Sequence, residues 1–348
     1  MNKVLKKHII FLIIALYFFA FNLGAQALHF SQYFNAPLLV NPANTGFAPD
    51  FDYRVGVNYR DQWPSLGNPY KTMSAWGDAQ LLGNRLENGW VGIGGALYKD
   101  VAGSGSLTSN NANISVAYHQ VLGYNSLISA GMGLGFVNKR IDLTKLTFNS
   151  QWTGNFFDGS INSNEPFSNS AVNYYDLQLG VNYAYFASDN VYVEGGISAM
   201  HLNYPKESFY ADNASNMGEL PVRYTAFLNT RIKIQNLWII NPNIYVSKVV
   251  NAYETVIGFN ANRNIDMGNG DNQLILGLYY RNNDALIPML GYQVNHLKIT
   301  LNYDATISSL GPANAANGAY ELSIVLNGIY GNGDKTTKSV RCPKGVSF

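Results

Sequence analysis

From residue 51 onward, apolar and polar side chains take strict turns. Phe51, Tyr53, Val55, Val57 and Tyr59 alternate with Asp52, Arg54, Gly56, Asn58 and Arg60. Successive side chains of a strand point to opposite faces, so a period of two places bulk on one side and charge on the other. Near 180, Tyr175, Leu177, Leu179, Val181, Tyr183 and Tyr185 oppose Asp176, Gln178 and Asn182. Near 228, Tyr224, Ala226, Leu228, Ile232 and Ile234 oppose Arg223, Asn229, Arg231 and Lys233. Near 301, Leu297, Ile299, Leu301 and Tyr303 oppose Lys298, Thr300, Asn302 and Asp304. The apolar faces carry no charge, and helical periodicity is absent past residue 50. The alternation predicts fourteen strands, at about 51–60, 72–82, 89–99, 108–120, 127–140, 173–186, 191–204, 220–234, 237–248, 254–263, 272–281, 286–294, 297–306 and 318–330.

A soluble sandwich would also show one apolar face per strand. The connections separate the two folds. Those at 61–71, 100–107, 141–172, 205–219, 249–253, 282–285 and 307–317 would lie at one end and include every long one; those at the other end are mostly tight turns. Long outer loops and short periplasmic turns mark an outer-membrane barrel. Composition agrees. Charged residues are 13%, where a soluble chain has about a quarter, and aromatics reach 14%, enough for interfacial girdles. No apolar run after residue 30 approaches the roughly 20 residues of a spanning helix. The net charge of +1 gives no bulk attraction to nucleic acid. The expectation is an all-β fold: a transmembrane antiparallel β-barrel of about 14 strands over 51–331. An irregular segment at 28–50 precedes it, and a periplasmic tail at 332–348 follows.

Residues 1–27 read as an export signal. Lys3, Lys6 and Lys7 precede an apolar run from Ile9 to Phe21, and Ala25-Gln26-Ala27 fits a small-x-small cleavage site. A retained membrane anchor is the competing reading, but the run is short for a span. The lone Cys342 has no partner for an internal disulfide.

No motif assigns catalysis, a cofactor or a metal. Gly131-Met132-Gly133-Leu134-Gly135 lacks the helix that a nucleotide loop needs, and suits small lumen-facing positions in a curved sheet. "GIGGALYKD" at 92–100 reads the same way. The five histidines lack metal-ligand spacing, and no nucleophile elbow is present. Two irregular, aromatic-rich segments remain as candidate partner-binding elements. The first carries Phe30, Tyr33 and Phe34 among Pro37 and Pro42; it cannot be a wall strand, because proline lacks the ladder N–H. It must sit in the periplasm or fold into the lumen. The second, at 141–172, carries Trp152, Phe156 and Phe157. It is either a solvated outer loop or a contact surface or infolded plug. A fourteen-stranded lumen is wide enough to need a plug if it does not conduct, and these two segments are the candidates.

The stretch from His29 to Pro64 resembles the start of the PorP/SprF family of the Bacteroidetes type IX secretion and gliding machinery. The likeness rests on Phe30-Ser31-Gln32-Tyr33, Asn41-Pro42-Ala43-Asn44-Thr45-Gly46 and Tyr59-Arg60-Asp61-Gln62-Trp63. "VYVEGGISAMHLNYPKESF" at 191–209 is a second match, and "RCPKGVSF" is similar to the family's ending, with Gly345-Val346-Ser347 inserted. The resemblance implies a non-enzymatic outer-membrane barrel that supports secretion or surface anchoring of large cargo. Its implied partners are periplasmic machinery components, the carboxy-terminal domain of a secreted adhesin or other cargo, and outer-membrane lipid. The alternatives are a porin or hydrophobic-substrate channel, and behind it a barrel enzyme.

Overall fold

A computed structural model describes residues 30–48, 51–64, 70–83, 86, 88–210, 218–235, 237–266, 272–308 and 318–330. The signal-like start at 1–27, Cys342 and the tail at 332–348 lie outside the described residues. The fourteen strands are β1 Tyr53–Gln62, β2 Tyr70–Leu81, β3 Gly89–Ala102, β4 Leu107–Leu122, β5 Ser126–Arg140, β6 Ala171–Ser188, β7 Val191–Met200, β8 Arg223–Ile234, β9 Trp238–Val249, β10 Ala252–Asn264, β11 Asn272–Arg281, β12 Ala285–Val294, β13 Leu297–Thr306 and β14 Ala319–Gly328. Each pairs antiparallel with its sequence neighbour, and β1 closes on β14 from Tyr53 opposite Gly328 to Gln62 opposite Ala319. Closure leaves no edge strand, which is the condition for a sheet to cross hydrocarbon.

The faces fall as the alternation predicts. Val57 is 45% exposed on the outside, while Asn58 beside it is 3% exposed in the lumen. On β5 the outward residues are apolar from Ile128 to Phe136 and turn polar at Asn138 and Arg140. That run matches the roughly 25 Å apolar band of such barrels. One strand ends earlier than the alternation suggests: β7 stops at Met200, four residues before 204. His201 takes a left-handed φ of 61° and turns its N–H onto Asp176 Oδ1 at 2.8 Å, which breaks the ladder.

The core lies inside the lumen and is built by residues 30–48. Short 3-10 turns at Tyr33–Asn35, Pro37–Leu39 and Pro42–Asn44 coil this segment. Proline opens two of them, where its missing N–H would have had no partner, and Asn41 caps the last by accepting the Ala43 N–H at 2.8 Å. Tyr33 and Val40 join Phe227, Tyr245, Val256 and Ile275 in one cluster. Leu38 packs with Trp76, Ala96 and Val325. Phe47 packs with Trp90, Leu127 and Phe186.

Candidate functional site: a plugged lumen and its outer loop

The inward segment is fastened at three levels. At its start, in the outer half of the barrel, the Glu321 carboxylate accepts the N–H of Ser31 and of Gln32, both at 2.8 Å. Ser31 Oγ donates to Asp304 at 2.7 Å and accepts from Arg60 at 2.8 Å and from Arg281. Arg60 bridges Asp304 at 2.9 Å and Glu321 at 3.2 Å, and Arg281 reaches Asp304 at 3.0 Å. Arg281 also reaches Asp284 at 2.9 Å and Glu254 at 3.4 Å, so two guanidinium groups tie four carboxylates around a serine. Below them, the Gln32 side-chain amide donates to Asn302 at 2.5 Å, and Asn35 donates to Thr300 at 2.9 Å.

At mid-height Trp76 Nε1 donates to Asn35 O at 2.9 Å. Asn41 donates to Asn182 Oδ1, and Asn182 donates to Asn44 Oδ1, each at 2.6 Å. Val40 O accepts from Ser198 at 2.7 Å and Thr225 at 3.0 Å. At the periplasmic end His119 Nε2 meets Thr45 O at 2.8 Å, Gly46 N–H donates to Asp78 at 2.7 Å and Trp90 Nε1 donates to Gly46 O at 2.9 Å. Arg54 pairs with Asp78 and donates to Asn44 O at 2.8 Å. At a net contribution of about 1 kcal/mol per neutral bond, and more for charged ones, these bonds fasten the segment to the inner face of the wall.

The lumen-facing glycines now have a specific reason. An ideal Cβ on Gly92 would stand 1.9 Å from Thr45 O, one on Gly180 1.8 Å from Asn41 Oδ1, and one on Gly131 2.5 Å from Pro42 O. At these three positions the small lumen-facing residue also admits the plug backbone, while Gly133 and Gly135 face the wall side chains of Gln178 and Asn113.

Of the residues singled out in the sequence, Phe30 and Tyr33 are buried in the lumen and Phe34 is partly buried. Tyr33 stacks on Tyr245 at 4.9 Å and Phe34 on Tyr279 at 5.5 Å. The lumen, and not the periplasm, receives 30–48. Trp152, Phe156 and Phe157 stay exposed, at 49%, 60% and 47%. Their loop does not enter the lumen. Trp152 and Phe157 pack on each other at 4.9 Å, and Phe167 stacks on Tyr210 of the neighbouring outer loop at 5.0 Å. Among the described residues, space remains on both sides of the plug. A cavity of about 310 Å³ between the plug and the periplasmic end is lined by Phe34, Arg54, Glu194, Arg231, Asn260 and Lys298, among others. On the other side, one of about 60 Å³ lies among Phe30, Tyr98, Asp176, His201 and Arg223.

Sequence reasoning missed the Arg60–Arg281–Asp304–Glu321 cluster and the wall partners Asn182, Ser198 and His119. The usable signal was opposite charge on inward positions of adjoining strands: Arg60 lies directly across from Glu321.

The family described as type IX secretion system membrane protein PorP/SprF matches residues 22–326 of the chain. Among curated proteins no sequence matches. Among solved structures, the TodX monoaromatic hydrocarbon channel deltaS2 mutant is 13% identical, with 84% of this chain and 92% of that one covered at a TM-score of 0.51. The Pseudomonas putida toluene transporter TodX is 14% identical over the same shares, with a TM-score of 0.48. A Pseudomonas aeruginosa FadL homologue is 8% identical over 82% of this chain and 92% of its own, also at 0.48. At these identities the likeness is one of barrel fold.

Proposed function

Since the chain belongs to the PorP/SprF family of type IX secretion system membrane proteins, we propose that it serves as a closed, non-enzymatic barrel of the outer membrane, exported by its first 27 residues. It supports secretion or surface anchoring of large cargo by docking proteins at its two ends. The observation that carries this reading is the fastening of 30–48 at three levels of the lumen, through Glu321, Asn182 and Asp78. A lumen fastened shut in this way argues against an open, water-filled porin, while plugged barrels occur among transporters too. Periplasmic machinery components meet the end where 30–48 leaves the lumen. Phe30, Tyr33 and Phe34 act there indirectly, by holding the plug against the wall. Cargo, such as the carboxy-terminal domain of a secreted adhesin, meets the outer loop that presents Trp152, Phe156 and Phe157. Exposed aromatic clusters of this kind mark contact sites. A channel for apolar solutes, the alternative, has the shared barrel fold in its favour, and fold alone does not assign function.

Deleting 30–46 tests the reading. The variant should still insert and shift on heating in a denaturing gel. In a planar bilayer it should conduct where the full chain is nearly silent, and it should lose cargo display and co-purifying partners. Large, steady, ohmic openings from the full chain, or unchanged cargo display by the inserted deletion variant, would refute it.

A further inference from the structure

The outer rim of the wall differs on one side. Cross-strand register sets Met73, Lys99, Asn110, Asn138 and Asn173 in one row across β2–β6. One step deeper into the membrane, the same strands align Ala75, Leu97, Ala112, Phe136 and Tyr175. One step outward, Lys71 and Arg140 share a row with Val101 and Thr108. The alanines leave a gap between Met73, Leu97 and Phe136, and a slot of about 430 Å³ opens there, with Lys99, Asn110 and Asn138 at its mouth. The slot lies on the outward face, where apolar side chains give way to polar ones.

The charge at this mouth is one-sided. Lys71 lies 3.8 Å from Asp61, but Lys99 and Arg140 have no carboxylate partner among the described residues. Asn138 spends an N–H on Asn173 Oδ1 at 2.6 Å, which leaves its own carbonyl as an acceptor. Long cations at a hydrocarbon edge lift their heads toward the interface, where they attract anionic headgroups. An apolar slot with one cation and two amides at its mouth, and a second cation, Arg140, one row further out, therefore matches one kind of amphiphile.

We propose that this slot binds one acylated, phosphorylated glycolipid of the outer leaflet. An acyl chain lies over Ala75 and Ala112. The phosphate pairs with Lys99 and Arg140. Sugar hydroxyls meet the amides of Asn110 and Asn138, and this separates the glycolipid from a simple phospholipid. The assignment is independent of what the lumen does.

The test is native mass spectrometry of the full barrel, stripped of lipid in detergent and titrated with purified phosphorylated lipid A. The expected result is one tightly held lipid per barrel. Lys99→Ala with Arg140→Ala should weaken it at least tenfold, and Ala112→Trp, which fills the slot without changing charge, should do the same. Lys99→Arg should retain binding. Lys248→Ala, on the far side of the wall beside Tyr253, should change nothing. A heat-shift gel confirms that each variant is folded. Equal affinity for dephosphorylated lipid A or for phosphatidylglycerol would overturn the proposal, as would charge and slot-filling variants that bind like the parent protein.

Discussion

Residues 30–48 and the outer loop at 141–170 are built from similar material. Neither contains a strand, and each mixes aromatic rings with asparagine, serine and threonine. Yet the first is buried almost throughout and the second is mostly exposed. Their hydrogen bonds explain the difference. Gln32 bonds to Asn302, Asn41 to Asn182 and Thr45 to Ser115, all far away in sequence. In the loop, Asp142 bonds to Thr144, Asp158 to Ser160 and Asn162 to the Asn164 N–H, each two residues on. Bonds that leave the loop, such as Lys145 to Ser106 and the Ser168 N–H to Phe209 O, join other outer loops and not the lumen wall. Aromatic content shows only that a segment needs a surface. The barrel wall receives the segment for which it holds both polar partners and glycines at the points of contact.

Breaking that fit should have the largest effect. At Gly92 a new Cβ would press on backbone, Thr45 O at 1.9 Å and Gly46 Cα at 2.9 Å, and neither can rotate away. Gly92→Val should therefore expel the plug from a barrel that still closes. Single-channel recording should change from near silence to open-pore steps. The matched control is Gly159→Val in the outer loop, where nothing lies within 4 Å of the new Cβ; it should stay silent. If both variants conduct alike, wall glycines are not what seats the plug.

The next effect down sharpens the electrostatic half of the comparison. Glu321→Gln keeps the size but weakens two backbone bonds and leaves Arg60 with Asp304 alone. Breaking a buried charge pair costs about 3 kcal/mol or more, which is roughly a hundredfold in an opening equilibrium. Hydrogen exchange at the Ser31 and Gln32 amides should speed up by about that factor, with the Ser160 amide in the loop unaffected. Unchanged exchange at Ser31 would mean that this cluster does not hold the plug.

The wall was legible in the sequence because lipid imposes a simple code. A period of two with a charge-free face admits one register per strand, and only the strand ends, as at Met200, were set by an unforeseen polar contact. The lumen was less legible, because its contacts join residues with no sequence period between them. Phe30, Tyr33 and Phe34 could be picked out as needing burial, but whether they would turn inward depended on Tyr245 and Tyr279, two hundred positions away. The same gap misleads a substitution argument. From the alternation alone, aspartate at Asn302 should be tolerated as a lumen residue. In the structure Asn302 donates to Asp304 at 2.8 Å and accepts from Gln32, so a carboxylate there would face another without a donor between them.

The smallest expected effect belongs to the loop, and it is a matter of pH. Asp158 Oδ1 accepts the Ser160 hydroxyl at 2.6 Å and the Ser160 N–H at 2.9 Å. These bonds, the hydroxyl first, hold the carboxyl below its ordinary value. The Asp158 N–H in turn donates to Gln151 O at 2.9 Å, which ties the turn to the Trp152–Phe157 contact. A depressed value means that the turn is fully supported above the unfolded carboxylate range, near about 4. That support is lost only as pH falls through the lower, folded value. Trp152 fluorescence in the detergent-solubilised barrel should therefore stay constant from neutral pH down to that range and change below it. Asp158→Asn, a weaker acceptor with no charge to titrate, should shift the signal at all pH values and flatten this step, while the barrel's melting temperature stays the same. An acid response identical in the variant and the parent would show that the turn is held by something other than Asp158. The contrast between a wall-bound segment and a self-bound loop would then need another cause.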